Sequence, residues 1–100
     1  MAFLFSSLDF QPDEGRLVLS VPALDFDNAP DLMAQFLSHI GASANETQTD
    51  ADIHTWLVDF EGCRLMLRAE HYSAAMWLET LDGAGNEELA FLANWLGKSL

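Results

Sequence analysis

The chain reads as an α+β protein, an antiparallel sheet with two helices on one face, in the order ββαβββα. Residues 53–81 sort into a meander with one dry and one wet face. Two segments repeat apolar residues at helical spacing, and a turn-punctuated β-rich pair opens the chain. A sheet with one apolar face and helices with one apolar stripe each bury those surfaces against one another, and two layers are the economical assembly. One domain is expected over residues 1–100. A chain of that length buries roughly two-thirds of its unfolded surface, enough for a core without staples.

At the N-terminus, residues 3–10 alternate loosely, with Leu4, Leu8 and Phe10 on one face. Gln11-Pro12-Asp13-Glu14-Gly15 is a turn by composition, with Pro early and Gly late. The β-rich run Arg16 to Pro22 follows, so the two runs form a hairpin. Asn28 is a good N-cap for a first helix, with Pro30 and Asp31 in its first turn. Leu32, Met33, Phe36, Leu37 and Ile40 make one apolar stripe, and Gly41 stands where a left-handed residue ends helices. Residues 41–51 are small and polar and read as a loop.

The meander is the clearest piece. A tight turn at Glu61-Gly62 sets Phe60 opposite Cys63, Val58 opposite Leu65, Trp56 opposite Leu67 and His54 opposite Ala69, all on the apolar side. Asp59 then opposes Arg64, Leu57 opposes Met66 and Thr55 opposes Arg68 on the other side. Since Glu-Gly is not the preferred Asn-Gly pair, a longer bulged loop is the alternative. A second tight turn at Ser73-Ala74 would bring Leu78 to Ala69, Thr80 to Leu67, Glu79 to Arg68 and Trp77 to Glu70. Such opposite-charge pairs contribute roughly 0.2–1 kcal/mol each. A one-residue slip would exchange the faces, so the register is well specified. Asp82-Gly83-Ala84-Gly85 breaks the last strand, and Asn86 caps a second helix with Glu87 and Glu88 in its first turn. Leu89, Leu92 and Leu96 form its inward stripe, with Gly97 at its end. Phe91 and Trp95 lie off that stripe, where packing against the first helix is the expected role.

Charge decides which partners are excluded. Sixteen Asp and Glu stand against four Lys and Arg, a formal net charge of -12. Nucleic acid binding needs clustered cations, and anionic membrane surfaces need them too. Arg16, Arg64, Arg68 and Lys98 are all the chain has, so neither partner is expected. The acid is spread along the chain, which marks a solvated surface rather than a tail. The single cysteine, Cys63, excludes an internal disulfide and fits a reducing compartment. The opening MAFLFSSLDF lacks a basic start and has an apolar run too short for a signal peptide or membrane span. Cytoplasmic residence is the resulting expectation.

Catalytic and metal motifs fail on spacing. Asp25, Asp27 and Asp31 lack the Gly and the twelfth-position Glu of a calcium loop. There is no Gly-x-Ser-x-Gly, and the glycines at 82–85 have no downstream P-loop lysine. His54 and His71, on the dry face of adjacent strands, with Glu70 beside them, form a candidate polar site for metal or proton chemistry. Zinc requires further ligands, and Cys63 lies about 20 Å away along the strand. Half-buried histidines bonded to backbone are the plainer explanation. No cofactor or metal is expected. The wet sheet face is the stronger candidate. Leu57, Arg64, Met66, Arg68, Trp77 and Glu79 share it with Leu81, and aromatic, Met and Arg enrichment marks contact surfaces.

His54-Thr-Trp-Leu-Val-Asp-Phe-Glu-Gly, then Leu65 to Glu70-His-Tyr-Ser, then Met76-Trp-Leu-Glu79 resembles a small family of uncharacterised gammaproteobacterial proteins of about this length, a domain of unknown function. The resemblance covers most of the chain. It implies a bacterial cytoplasmic protein and assigns no activity and no catalytic residues.

The leading expectation is a non-enzymatic, cytoplasmic protein-interaction domain that meets a protein partner or forms a homodimer through the wet face. Two others come from different classes. One is a small enzyme or ligand binder working at His54, Glu70 and His71. The other is an acidic decoy of nucleic acid that fills a basic protein's groove.

Overall fold

The computed structural model describes residues 5–50, 52–81 and 84–98. Within them the chain forms β1 (Ser7–Gln11), β2 (Arg16–Ser20), α1 (Ala29–Ile40), β3 (Ser43–Asp50), β4 (Ile53–Phe60), β5 (Cys63–Glu70), β6 (Ala75–Thr80) and α2 (Asn86–Gly97). The fold is α+β, with an antiparallel six-stranded sheet in the order β1-β2-β6-β5-β4-β3. The sequence of elements is ββαββββα. The N-terminal hairpin therefore extends the meander sheet, through pairs such as Leu17↔Leu78 and Val18↔Trp77.

The additional strand, β3, corrects the loop expected over 41–51. SANETQTD has no apolar alternation, and all eight of its residues are exposed. It is a strand because β4 offers it a ladder, from Ser43↔Asp59 to Asp50↔Ile53, with an irregularity between Ala44 and Glu46. A bulge and edge charges such as Glu46 and Asp50 discourage pairing with another chain.

The β4–β5 register is as expected, from Phe60↔Cys63 to His54↔Ala69. Glu61 and Gly62 both have positive φ, 50° and 82°, which a two-residue type I′ turn requires. The β5–β6 register differs. Glu70 pairs with Ala75, Arg68 with Trp77, Leu67 with Leu78, Met66 with Glu79 and Leu65 with Thr80. The turn is therefore His71–Ala74, four residues rather than two, closed by the Ala74 N–H on the His71 carbonyl at 3.1 Å. The shift is two residues, so every side chain that stays in the ladder keeps its expected face. His71 is in this turn, not on the dry face of β5. Trp77 opposes Arg68 instead of Glu70, and Glu79 opposes Met66 instead of Arg68.

The core lies between the sheet and the helices. Leu17, Leu19, Leu65, Leu67, Met76 and Leu78 are fully buried on the sheet side, and Met33, Phe36, Leu89, Leu92 and Leu96 meet them from the helices. α1 lies over β3, β4 and β5, while α2 covers β1 and β2. Burial of that area, at about 25 cal/mol per Å2, is the principal stabilising contribution.

The helix ends depart in detail. Asn28 stands at the N-cap of α1 but makes no side-chain cap bond. Its Oδ1 accepts from the Asp25 N–H at 2.7 Å, and its own N–H donates to Asp25 Oδ1 at 2.8 Å. These reciprocal bonds fix the approach to the helix rather than its first turn. Gly41 ends α1 in the left-handed conformation as expected. The N-cap of α2 is Gly85, not Asn86. Asn86 Nδ2 instead donates to the Pro12 carbonyl at 3.1 Å, tying α2 to the first turn. Gly97 is the last helical residue, followed by Lys98 as C-cap. Leu4 of the first hairpin, and Asp82 and Gly83 of the final turn, lie outside the described residues.

Candidate functional site

Strand alternation places the wet face opposite the helices. Leu17 and Leu19 of β2 turn inward, so Arg16, Val18 and Ser20 turn outward. The same parity turns out Leu57 on β4, Arg64, Met66 and Arg68 on β5, and Trp77 and Glu79 on β6. All six expected contact residues are thus together on the sheet face away from both helices. Two cross-strand rows organise it. One runs Val18, Trp77, Arg68, Thr55, and the next runs Arg16, Glu79, Met66, Leu57.

Glu79 and Thr55 hold the polar part in place. The Trp77 indole N–H donates to Glu79 Oε1 at 3.0 Å, and an Arg68 guanidinium nitrogen is 3.7 Å from the same oxygen. Arg68 Nε donates to Thr55 Oγ1 at 3.3 Å. With both side chains partly exposed, the Arg68–Glu79 pair contributes about 0–1 kcal/mol. Its effect is orientation: Trp77 and Arg68 are fixed side by side in the middle of the face. Arg64 opposes Asp59 in register, but the Asp59 carboxylate accepts instead from Asn45 Nδ2 at 2.6 Å. Arg64 is exposed. Toward the edge, Leu57 and Met66 floor a depression of about 230 Å3, rimmed by Glu46, Gln48 and Thr55.

Of the three residues of the polar site, Glu70 is engaged in a turn, while His54 and His71 share a neighbour in Phe26. Glu70 Oε1 accepts from the Ser73 N–H at 3.1 Å and from the Ser73 hydroxyl at 2.6 Å. Its carboxylate belongs to the β5–β6 turn. His54 is 5% exposed, and its Nδ1 is 2.8 Å from Thr49 Oγ1. Among the described residues, His54 Nε2 and His71 Nδ1 are buried without a hydrogen-bond partner. The Phe26 ring lies against both imidazoles, with centroids 5.3 Å from His54 and 5.7 Å from His71. Phe26, from the segment between β2 and α1, was not legible as their neighbour in the sequence. Among the described residues no group of three or more His, Cys, Asp and Glu side chains is placed to hold a metal ion.

A second feature lies on the helix side. Phe91 and Trp95 are 55% and 40% exposed, not packed into the core as expected. Trp95 does reach α1, with its ring 5.1 Å from that of His39, while Phe91 stacks on Phe60 at 6.3 Å. These rings, with Gly41 and Glu61, line a groove of about 310 Å3 at the C-terminal end of α1. In the sequence only the i, i+4 spacing of Phe91 and Trp95 hinted at it.

Neither helix, among the described residues, is long and apolar enough to cross a membrane. No curated protein matches the chain, and no solved structure matches it. Residues 5–97 match the family described as Protein of unknown function (DUF3630). That match spans both helices, all six strands and the whole wet face, and the chain belongs to this family.

Proposed function

We propose that this is a non-enzymatic bacterial cytoplasmic domain whose wet sheet face is a protein-contact surface, occupied by a second copy of the chain. The observation that carries the reading is where the few cations are. Arg16, Arg64 and Arg68, three of only four Lys and Arg residues, lie on this one face. They flank the half-buried Val18, Leu57, Met66 and Trp77. Two bodies of charge -12 repel each other through most orientations, and least where their cations are concentrated. A two-fold contact needs a self-complementary patch, and a patch bearing Arg64 and Arg68 beside Glu46, Asp50 and Asp59 meets that need. Six strands at about 4.8 Å spacing and about 20 Å in length present on the order of 500 Å2 per copy, near the lower bound for a specific dimer.

The Arg68→Ala/Trp77→Ala variant tests this. Both residues are partly solvent-exposed on the face away from the core, so the circular dichroism spectrum should be unchanged. Loss of a central Trp–Arg pair weakens association by more than about thirtyfold. A variant that self-associates like the parent chain refutes the assignment.

A further inference from the structure

We infer that the groove between the C-terminal end of α1 and the outer face of α2 binds a cationic side chain, arginine or lysine, presented by a basic segment of a partner protein. The groove is separate from the wet sheet face, on the helix side of the molecule, and the inference does not depend on self-association. Three features converge there. Trp95 and Phe91 present aromatic surface, backed by His39 and by the buried Phe60 in two ring pairs with centroids 5.1 and 6.3 Å apart. Aromatic faces attract cations through the ring quadrupole, indole most strongly. The groove also opens at the end of α1, where Gly41 terminates the helix. The negative pole of the helix dipole lies at that end and favours a positive charge within the last turn. Glu61, held in the β4–β5 turn, adds an acidic residue to the lining.

Shape and charge choose the occupant. Small-molecule sites bury 70–90% of their ligand. Here Phe91 and Trp95 remain half outside, so the groove is open along one side. An open-sided slot of about 310 Å3 suits a side chain arriving on a polypeptide. A second copy is a poor donor, because three of its four cationic residues are on the sheet face. A basic segment of another protein is complementary to the net charge of -12, which also steers its approach.

The experiment is a titration of the full-length 15N-labelled chain with a blocked glycine-rich pentapeptide containing one Arg and one Lys. The control peptide carries citrulline and acetyl-lysine in their place. The Trp95 indole N–H and the Gly41 amide should shift saturably with the cationic peptide and stay still with the control. Trp95→Ala should weaken binding about fivefold, and Phe91→Ala, on the exposed side of the same helix, should weaken it in the same direction. Glu61→Gln should weaken it about twofold, and raising the salt should weaken it further. Shifts scattered over the acidic surface, or an equal response to the neutral peptide, would overturn the inference. So would argininamide alone binding as tightly as the peptide, since the ligand would then be a free small cation.

Discussion

Gly15 joins the N-terminal hairpin to the meander, and replacing it with alanine tests that junction. Its φ is +65°, and its carbonyl accepts the Thr80 N–H at 2.9 Å. A Cβ at this position would stand 2.5 Å from Thr80 Oγ1, where ordinary contact begins at 3.4 Å. A left-handed non-glycine residue costs about 1–2 kcal/mol. Relieving the overlap adds about 1–2 kcal/mol, because a β-branched threonine has few rotamers to retreat into. Gly15→Ala should therefore destabilise by about 2–4 kcal/mol, a large share of the 5–15 kcal/mol typical of domains. The corresponding fall in Tm is roughly 10–30 °C for a chain of this length. Urea unfolding followed by circular dichroism, in a double-mutant cycle with Thr80→Ala, separates the two contributions. In the Thr80→Ala background only the backbone strain remains, so Gly15→Ala should cost about 1–2 kcal/mol there. Equal costs in both backgrounds would mean that Thr80 is not beside Gly15, and that β2 does not pair with β6 in this register.

Two smaller changes probe the opposite end of the sheet. Ala74 closes the β5–β6 turn at φ 50°, so Ala74→Gly should stabilise by about 0.5 kcal/mol, the strain relieved less the entropy glycine loses; thermal unfolding reads it as a slightly higher Tm. Thr49→Val removes the hydroxyl 2.8 Å from His54 Nδ1 and should cost about 1 kcal/mol by urea denaturation, whereas an unchanged midpoint would mean that the edge strand does not hold His54.

The sequence made the β4–β5 hairpin legible because a turn signal and strict alternation agreed there, down to Asp59 opposite Arg64. The β5–β6 hairpin was legible only in its faces. A two-residue shift preserves parity, so hydrophobic patterning cannot tell a two-residue turn from the four-residue one that Glu70 and Ser73 stabilise. β3 left no pattern at all, because a fully exposed edge strand takes its conformation from its neighbour rather than from its own side chains. The wet face was legible for the same reason as the β4–β5 hairpin: Leu57, Arg64, Met66, Arg68, Trp77 and Glu79 follow from parity alone. Placing Phe26 over His54 and His71, and the partnering of His39 with Trp95, depends on how loops and helices lie across the sheet. No periodicity records such contacts.

The most direct test of the proposed contact surface is the solution mass of the parent chain by light scattering, at low and at high salt. A contact in which cations flank Val18, Leu57, Met66 and Trp77 predicts a dimer in both conditions, with high salt relieving the repulsion between two acidic bodies. A monomer of 11.1 kDa at both salt concentrations, at protein concentrations up to the millimolar range, would contradict it.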